Sequence, residues 1–386
     1  MALSASVLGA QNNDSQLKLK GLQTYCSATV DMLNAVQHQK HSRSDGVLAA
    51  VRLLEFYEVL FGFGAKLNSA NSNLASWWRH NDGQLALILH RGPYSFQHGP
   101  AHTLFVDARY NTALSHLTRR KRCPLDDSDW KTIPWIYCKK SIKDRLVDIL
   151  VHLPGLMQDM DILQELTLIA PAGEWKKKVL KSCLGLKEAL RRWETEIGQE
   201  LERFDYTVST TPLKPPSTDR EVSLLHLSTL YWAISLAVDT SLGTLLVQNA
   251  RSGGVEGDCE DDSETESTSS MATSGKGDSS SRRQLKDQDD RRTLLRTYAY
   301  KIAHAIPLLF EPESGAFGCN VALFPLLSAW RFLSMTEPVD KPSPEHQIIL
   351  KLSEKQFQGT SVGRFSASLK RDVWNHKQSG HAAKKD

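Results

Sequence analysis

No two of the six cysteines, Cys26, Cys123, Cys138, Cys183, Cys259 and Cys319, stand in a Cys-x-x-Cys pair. Their spacing therefore gives neither a zinc site nor a disulfide framework. Cys26, Cys183 and Cys319 fall within apolar helical patterns, where a free thiol is expected to be a small buried hydrophobe in a reducing compartment. Charge of one sign is not in excess: 47 basic and 44 acidic side chains leave a net +3, far from the dense cationic field that phosphate backbones require. Direct nucleic-acid binding is not expected. The opening residues, Met1 to Leu8, lack the basic region of a secretory leader and turn polar at Gln11 to Asp14. Catalytic fingerprints are missing as well. The sequence contains no G-x-x-x-x-G-K-[ST], no G-x-S-x-G and no H-E-x-x-H, and Gly62 and Gly64 are not followed by the third glycine of a dinucleotide loop. The expectation is a protein that is not an enzyme and carries no cofactor.

Alternating β-branched runs bounded by tight turns are scarce, whereas three-to-four-residue apolar periodicity recurs from end to end. With 386 residues, 40% of them hydrophobic, the chain can bury a large core. The fold class expected is all-α, a large multi-helix bundle-like array. Residues 1–15 are expected to be disordered, residues 16–378 to form the helical body, and 379–386 to be a polar tail. One stripe comprises Leu19, Leu22, Cys26, Val30, Leu33 and Val36. A second helix, Val47 to Phe61, follows the capping residues Ser44 and Asp45 and is apolar nearly all round, so it should be central. A third helix starts near Asn73 and ends at Arg91-Gly92-Pro93. A fourth, from about His102 to Arg119, turns Leu104, Phe105, Ala108, Leu114 and Leu117 inward. An irregular connection with Pro124, Trp130, Pro134 and Trp135 follows.

Trp175, Val179, Cys183, Leu186, Leu190, Trp193, Ile197 and Leu201 form a near-heptad stripe that fits either a coiled-coil seam or packing within the chain. Leu224 to Val247 is long enough to cross a bilayer, but it holds His226 and Asp239 and is read as a buried core helix. Residues 251–290 read as a disordered acidic and Ser-rich insertion, either a plain loop or an activation segment, with no Lys or Arg between Ser252 and Gly275. Helical periodicity resumes at Leu294 to Ile306 and Phe317 to Leu333, with shorter helices around 348–352 and 365–374.

His90, His98 and His102 are the closest approach to a metal set, but Gly99-Pro100 interrupts them and no acidic residue or thiol completes them. Asp126, Asp127 and Asp129 beside Trp130 read first as turn and cap residues. The run Arg119, Arg120, Lys121 and Arg122 has two compatible readings. It places cations at the negative end of a helix dipole, and it is a candidate nuclear localisation signal.

The order of Tyr57 to Leu60, Trp78, His80, Gly83, Leu87, Arg91-Gly92-Pro93, Phe96, Gly99, Leu104-Phe105, Arg109, Ala113-Leu114, Arg119-Arg120, Trp130 and Ile133-Pro134-Trp135 resembles the fungal-specific regulatory domain of Zn(2)Cys(6) transcription factors. Tyr231-Trp232, the Tyr298 to Ile306 helix and Phe324-Pro325-Leu326 with Ala329 and Phe332 resemble its second half. The resemblance runs from about Lys18 to Trp374. It implies a helical regulatory module of a nuclear transcription regulator, often one controlling a metabolic or secondary-metabolite gene set, with other proteins, including homo- or hetero-oligomers of transcription factors, as partners. It singles out Arg91, Gly92, Pro93, Arg109, Trp130, Pro134, Trp135, Phe324 and Pro325 as structural residues. Family members bind DNA through six cysteines holding two zinc ions. No cysteine here matches that cluster, so no zinc-ligating or DNA-binding residue is carried over.

Overall fold

The computed structural model describes residues 1–38, 42–61, 71–166, 173–209, 212–252, 277–311, 314–338 and 340–355. Among the described residues the chain is all-α, with twelve α-helices linked by short 3-10 turns and no strand. The first group of helices is α1 (Ala2–Gln11), α2 (Ser15–Gln37), α3 (Asp45–Phe61), α4 (Asn71–Arg91) and α5 (Gly99–Thr118). The short α6 (Ser128–Thr132) leads to α7 (Ile142–Leu166), α8 (Gly173–Ile197), α9 (Asp219–Ser252), α10 (Gly277–Ala305), α11 (Gly315–Thr336) and α12 (Pro344–Lys355).

The largest core gathers α7 to α12 around Leu150, Val179, Trp193, Trp232, Ile302 and Leu326. A second joins α3, α4 and α5 to the 121–138 connection through Leu48, Ile88, Phe96, Phe105, Trp130 and Trp135. A third is small, with Tyr25, Leu54 and Tyr57 at the junction of α2 and α3. Helix α5 is the wall shared by the first two. It gives Ala101, Phe105 and Ala108 to one side and Tyr110, Ala113 and Leu114 to the other, and every residue from Ala108 to His116 is buried. A helix buried on all sides is central by construction.

Local chemistry explains the boundaries. Ser44 Oγ accepts from Val47 N at 3.3 Å and caps α3. Helix α4 stops at Gly92, whose φ of 76° suits glycine, and Pro93 opens a 3-10 turn over Pro93–Phe96. Helix α5 ends with the paired bonds Lys121 N to His116 O (3.0 Å) and Arg120 N to Leu117 O (3.1 Å). Arg120 occupies the left-handed position at φ 52°, where glycine is usual.

Several expectations are corrected. Residues 1–15 are not outside the fold: α1 docks on α2, with Ser6 and Gly9 buried. Asp14 is the N-cap of α2, accepting from Gln16 N and Leu17 N. A Cβ on Gly21 would overlap Ser6 Oγ and lie 2.9 Å from Ser6 N, so the close α1–α2 approach depends on glycine. The α2 stripe does not face the core, since Leu19, Val30 and Leu33 are 55%, 57% and 56% exposed. Cys26 is exposed too, whereas Cys123 and Cys183 are buried. Helix α3 is central but not apolar throughout, because Glu55 and Glu58 are buried in it. Of the segment 251–290, residues 253–276 lie outside the described residues, between the end of α9 at Ser252 and the start of α10 at Gly277. The helix expected over 365–374 and the 379–386 tail also lie outside the described residues.

The near-heptad stripe of α8 packs inside the chain, burying Val179, Cys183, Leu186, Leu190 and Trp193 against the largest core. Among the described residues one helix, α9, is long and apolar enough to cross a membrane, and 67% of that stretch is buried inside the protein. His226 lies edge-on to Tyr110 at 5.4 Å, and Asp239 accepts from Lys187 Nζ at 2.6 Å.

Candidate functional site: a buried aromatic and polar centre around α5

Arg109 is wholly enclosed. One guanidinium nitrogen donates to Asp148 on α7, the plane lies 4.5 Å from the Trp135 ring, and Phe105 stands at 6.0 Å. Asp148 also accepts from Lys140, whose ammonium lies 4.5 Å from the Trp135 ring centroid. Burial pulls the Arg109 pKa down and the Asp148 charge pulls it back up, so the pair is retained by mutual need. Around it Phe96, Phe105, Trp130 and Trp135 form one ring cluster with centroids 5.2 to 6.2 Å apart. Arg91 closes its rim, stacking 4.8 Å from Phe96 and donating to Asp45 at 2.7 Å. The irregular 121–138 connection makes this possible, because Pro124 starts one 3-10 turn and Pro134 is the second residue of another, and the two turns bury Leu125 and Trp135.

The structure thus brings Arg91, Gly92, Pro93, Arg109, Trp130, Pro134 and Trp135 into one region. It places Phe324 and Pro325 elsewhere, in α11 against the largest core.

A polar layer between α3, α4 and α5 was not foreseen. The Glu55 carboxylate, fully buried, accepts from Arg52 (2.7 Å), Asn81 (3.1 Å) and Asn111 (2.7 Å). One turn further, Tyr25 donates to Glu58 at 2.5 Å and meets His80 Nε2 at 3.1 Å. Burial, followed by Glu58, drives the Tyr25 hydroxyl pKa upward. The Gln84 carboxamide is buried with neither amide atom hydrogen-bonded among the described residues, and Arg109 Nε and Nη1 are in the same state. Buried polar atoms in folded proteins are nearly always paired. The sequence signal available was polar residues at core spacing, Asn81 and Gln84 interleaved with Trp77, Leu85 and Ile88.

The basic run folds onto the protein. Arg119 forks onto Asp82 (2.8 and 2.7 Å), Arg120 onto Asp161 (2.7 and 2.5 Å), and Arg122 reaches Asp159 at 2.8 Å. These bonds pin the end of α5 to α4 and α7. His102 donates from Nδ1 to the Phe96 carbonyl at 2.8 Å, while His98 is exposed at the start of α5. Among the described residues no three His, Cys, Asp or Glu side chains gather as metal ligands.

Asp127 caps α6 by accepting from Asp129 N. Asp126 does more: its carboxylate lies 2.9 Å from His152 Nδ1, and His152 Nε2 lies 3.0 Å from Ser182 Oγ. Burial opposes the Asp126 charge, but His152 and Lys131 hold its pKa below the ordinary value. Ser182 sits mid-helix in α8, where neighbouring amides are spent on the helix ladder and cannot hold an oxyanion. The chain of bonds is accordingly a clamp joining α7 and α8 to the 124–126 turn.

No protein-family model and no solved structure matches the chain. An uncharacterized protein of Emericella nidulans is 23% identical over 208 residues, which is 51% of this chain and 42% of that protein. The match thus spans less than half the length of that relative.

Proposed function

We propose that this chain is the regulatory body of a fungal transcription regulator, acting in the nucleus through protein partners and without a DNA reader among its own residues. The observation that carries the reading is the single buried centre built by Arg91, Arg109, Trp130 and Trp135, residues drawn from separate motifs of the family this sequence resembles. The similarity to a fungal protein agrees with that source. A second support is the polar layer at Glu55 and Gln84, a place where a small polar effector exchanges water for paired hydrogen bonds and so shifts the packing of α3, α4 and α5.

Such a body governs a metabolic or secondary-metabolite gene set by tuning partner contacts, with no chemical step of its own. Import by the 119–122 run requires release of Arg119, Arg120 and Arg122 from Asp82, Asp161 and Asp159. Tethering tests the reading. The full chain fused to an unrelated DNA-binding domain should activate or repress a reporter carrying that domain's site. A fusion that is expressed, folded and nuclear yet leaves the reporter unchanged would contradict it.

A further inference from the structure

One stretch of the chain is densely acidic and one helix face is densely basic. Seven of the eleven residues 256–266 are Asp or Glu, and no Lys or Arg lies between Ser252 and Gly275. On α8, Lys176, Lys177, Lys178 and Lys181 all fall in the first nine residues. Lys177 and Lys178 expose 76% and 52% of their side chains, and Lys181 is exposed as well. Arg122 joins this face by sharing Asp159 with Lys178, at 2.8 and 3.6 Å. Glu174 pairs with Lys177 at 2.8 Å. Among the described residues Lys176 and Lys181 meet no carboxylate. Two carboxylates, Glu174 and Asp159, thus stand against five cations.

The fold sets the acidic stretch beside that face. Helices α8 and α9 run antiparallel, held by Lys187 on Asp239 (2.6 Å) and by Trp193 stacked on Tyr231 (5.2 Å). Asp239 lies 13 residues before Ser252, and Lys187 lies 13 residues after Glu174. The same register therefore carries the end of α9 to the start of α8, one helix spacing of about 8–10 Å away. Helix α10 begins at that end too, since Arg291, 14 residues beyond Gly277, lies against Gly243 of α9. Residues 253–276 leave the fold and rejoin it where the lysines are. Glu260 follows Ser252 by eight residues, a tether with an r.m.s. span of about 15 Å, which reaches the first turns of α8 and holds the acids there at millimolar effective concentration.

We infer that residues 256–266 dock in cis on the Lys176–Lys181 face of α8, with Arg122 at its edge. The inference stands on charge and chain path and not on the regulatory reading. The paired groups are exposed, so each contact is weak and the sum of them is sensitive to salt. The docked acids cover the lysines against other polyanions, and release uncovers both at once.

The test uses the full chain. A short maleimide–succinimidyl ester joins the Cys259 thiol, in the midst of the acids, to amines within reach, and mass spectrometry maps the joins. Raising salt from about 0.02 M to about 0.5 M shortens the Debye length from roughly 20 Å to roughly 4 Å, and joins to Lys177 and Lys181 should fall about fivefold or more relative to the join with Lys276. At low salt, Lys177→Glu with Lys181→Glu should speed cutting after Glu264 by a glutamate-specific protease about fivefold or more, with far-UV circular dichroism unchanged. Adding Glu260→Lys and Asp261→Lys to that variant should slow the cut again. Glu260→Gln with Asp261→Asn and Asp262→Asn leaves α8 untouched and should by itself speed the cut and remove the salt-sensitive joins. Joins that favour Lys286 over α8, joins indifferent to salt, or a cutting rate that neither the α8 nor the acidic-segment variants change would overturn the proposal. Joins formed between isotope-labelled and unlabelled copies in a mixture, and not within one chain, would overturn it as well.

Discussion

Replacing Asp148 by Asn probes Arg109 most sharply. The Arg109 side chain is fully enclosed, whereas Asp148 keeps 20% of its surface in contact with solvent. The substitution therefore strands the charge that has no access to water. Breaking a buried pair from one side costs about 3–5 kcal/mol. An Asn oxygen still accepts one bond, and the Trp135 face 4.5 Å away still attracts the cation by about 1–2 kcal/mol. The expected net loss is therefore about 1–4 kcal/mol. Lys140→Met removes the other partner of Asp148, a partly exposed one, and should cost less than about 1 kcal/mol. The double replacement Arg109→Met with Asp148→Leu should cost less than the sum of its single changes, because neither charge is left behind. Urea unfolding followed by far-UV circular dichroism measures all five variants, the two single changes of the double replacement included. If Asp148→Asn proves no more destabilising than Lys140→Met, the claim that Arg109 depends on its carboxylate is wrong.

Three further outcomes follow from the same geometry. Burial, with Lys143 nearby, pushes the His226 pKa down to about 3, so between about pH 6.5 and pH 3 the unfolded chain binds a proton that the folded chain refuses. Stability should fall as pH drops through that window, by at most about 1.4 kcal/mol per unit from this group, and His226→Gln should flatten the slope; His116, also lowered by burial, adds in the same direction. Gly21→Val should undock α1 by overpacking at a cost of about 1–3 kcal/mol, visible as faster amide exchange over residues 2–11, and unchanged protection there would contradict the α1–α2 contact. Burial pushes the Cys123 thiol up to about 12 and the Cys183 thiol up to about 11, so at mildly alkaline pH a thiol reagent should spare both until the protein unfolds, and early modification of either would contradict their burial.

The sequence made helices legible because a 3.6-residue repeat survives whatever lies beside it. The α8 stripe and the stop at Gly92-Pro93 were read nearly to the residue. Which apolar face is inward was not legible where a helix has two. On α2 the core is built from Gly21, Tyr25 and small residues, which weigh little in a hydrophobic pattern, while the larger Leu19, Val30 and Leu33 face out. Asp14 looked like the edge of a polar tail because a capping aspartate and a disordered one have the same composition. Partnerships across long separations were out of reach: Glu55 meets Asn111 and Asp126 meets His152 only once α5 and α7 are packed. The aromatic centre was half visible, since the rarity of tryptophan drew attention to Trp130 and Trp135, whereas nothing in the spacing gave Asp148 as the partner of Arg109.

Native-state hydrogen exchange along α5 tests the central claim, that the motif residues form one buried centre on a helix shared by two cores. Amides from Ala108 to His116 should exchange only through global unfolding, with the slowest rates in the chain, and Trp135→Ala should speed them together with those around Ile88 and Leu150. Exchange over that stretch as fast as along the exposed face of α8, or a Trp135→Ala effect confined to the 121–138 connection, would contradict the account.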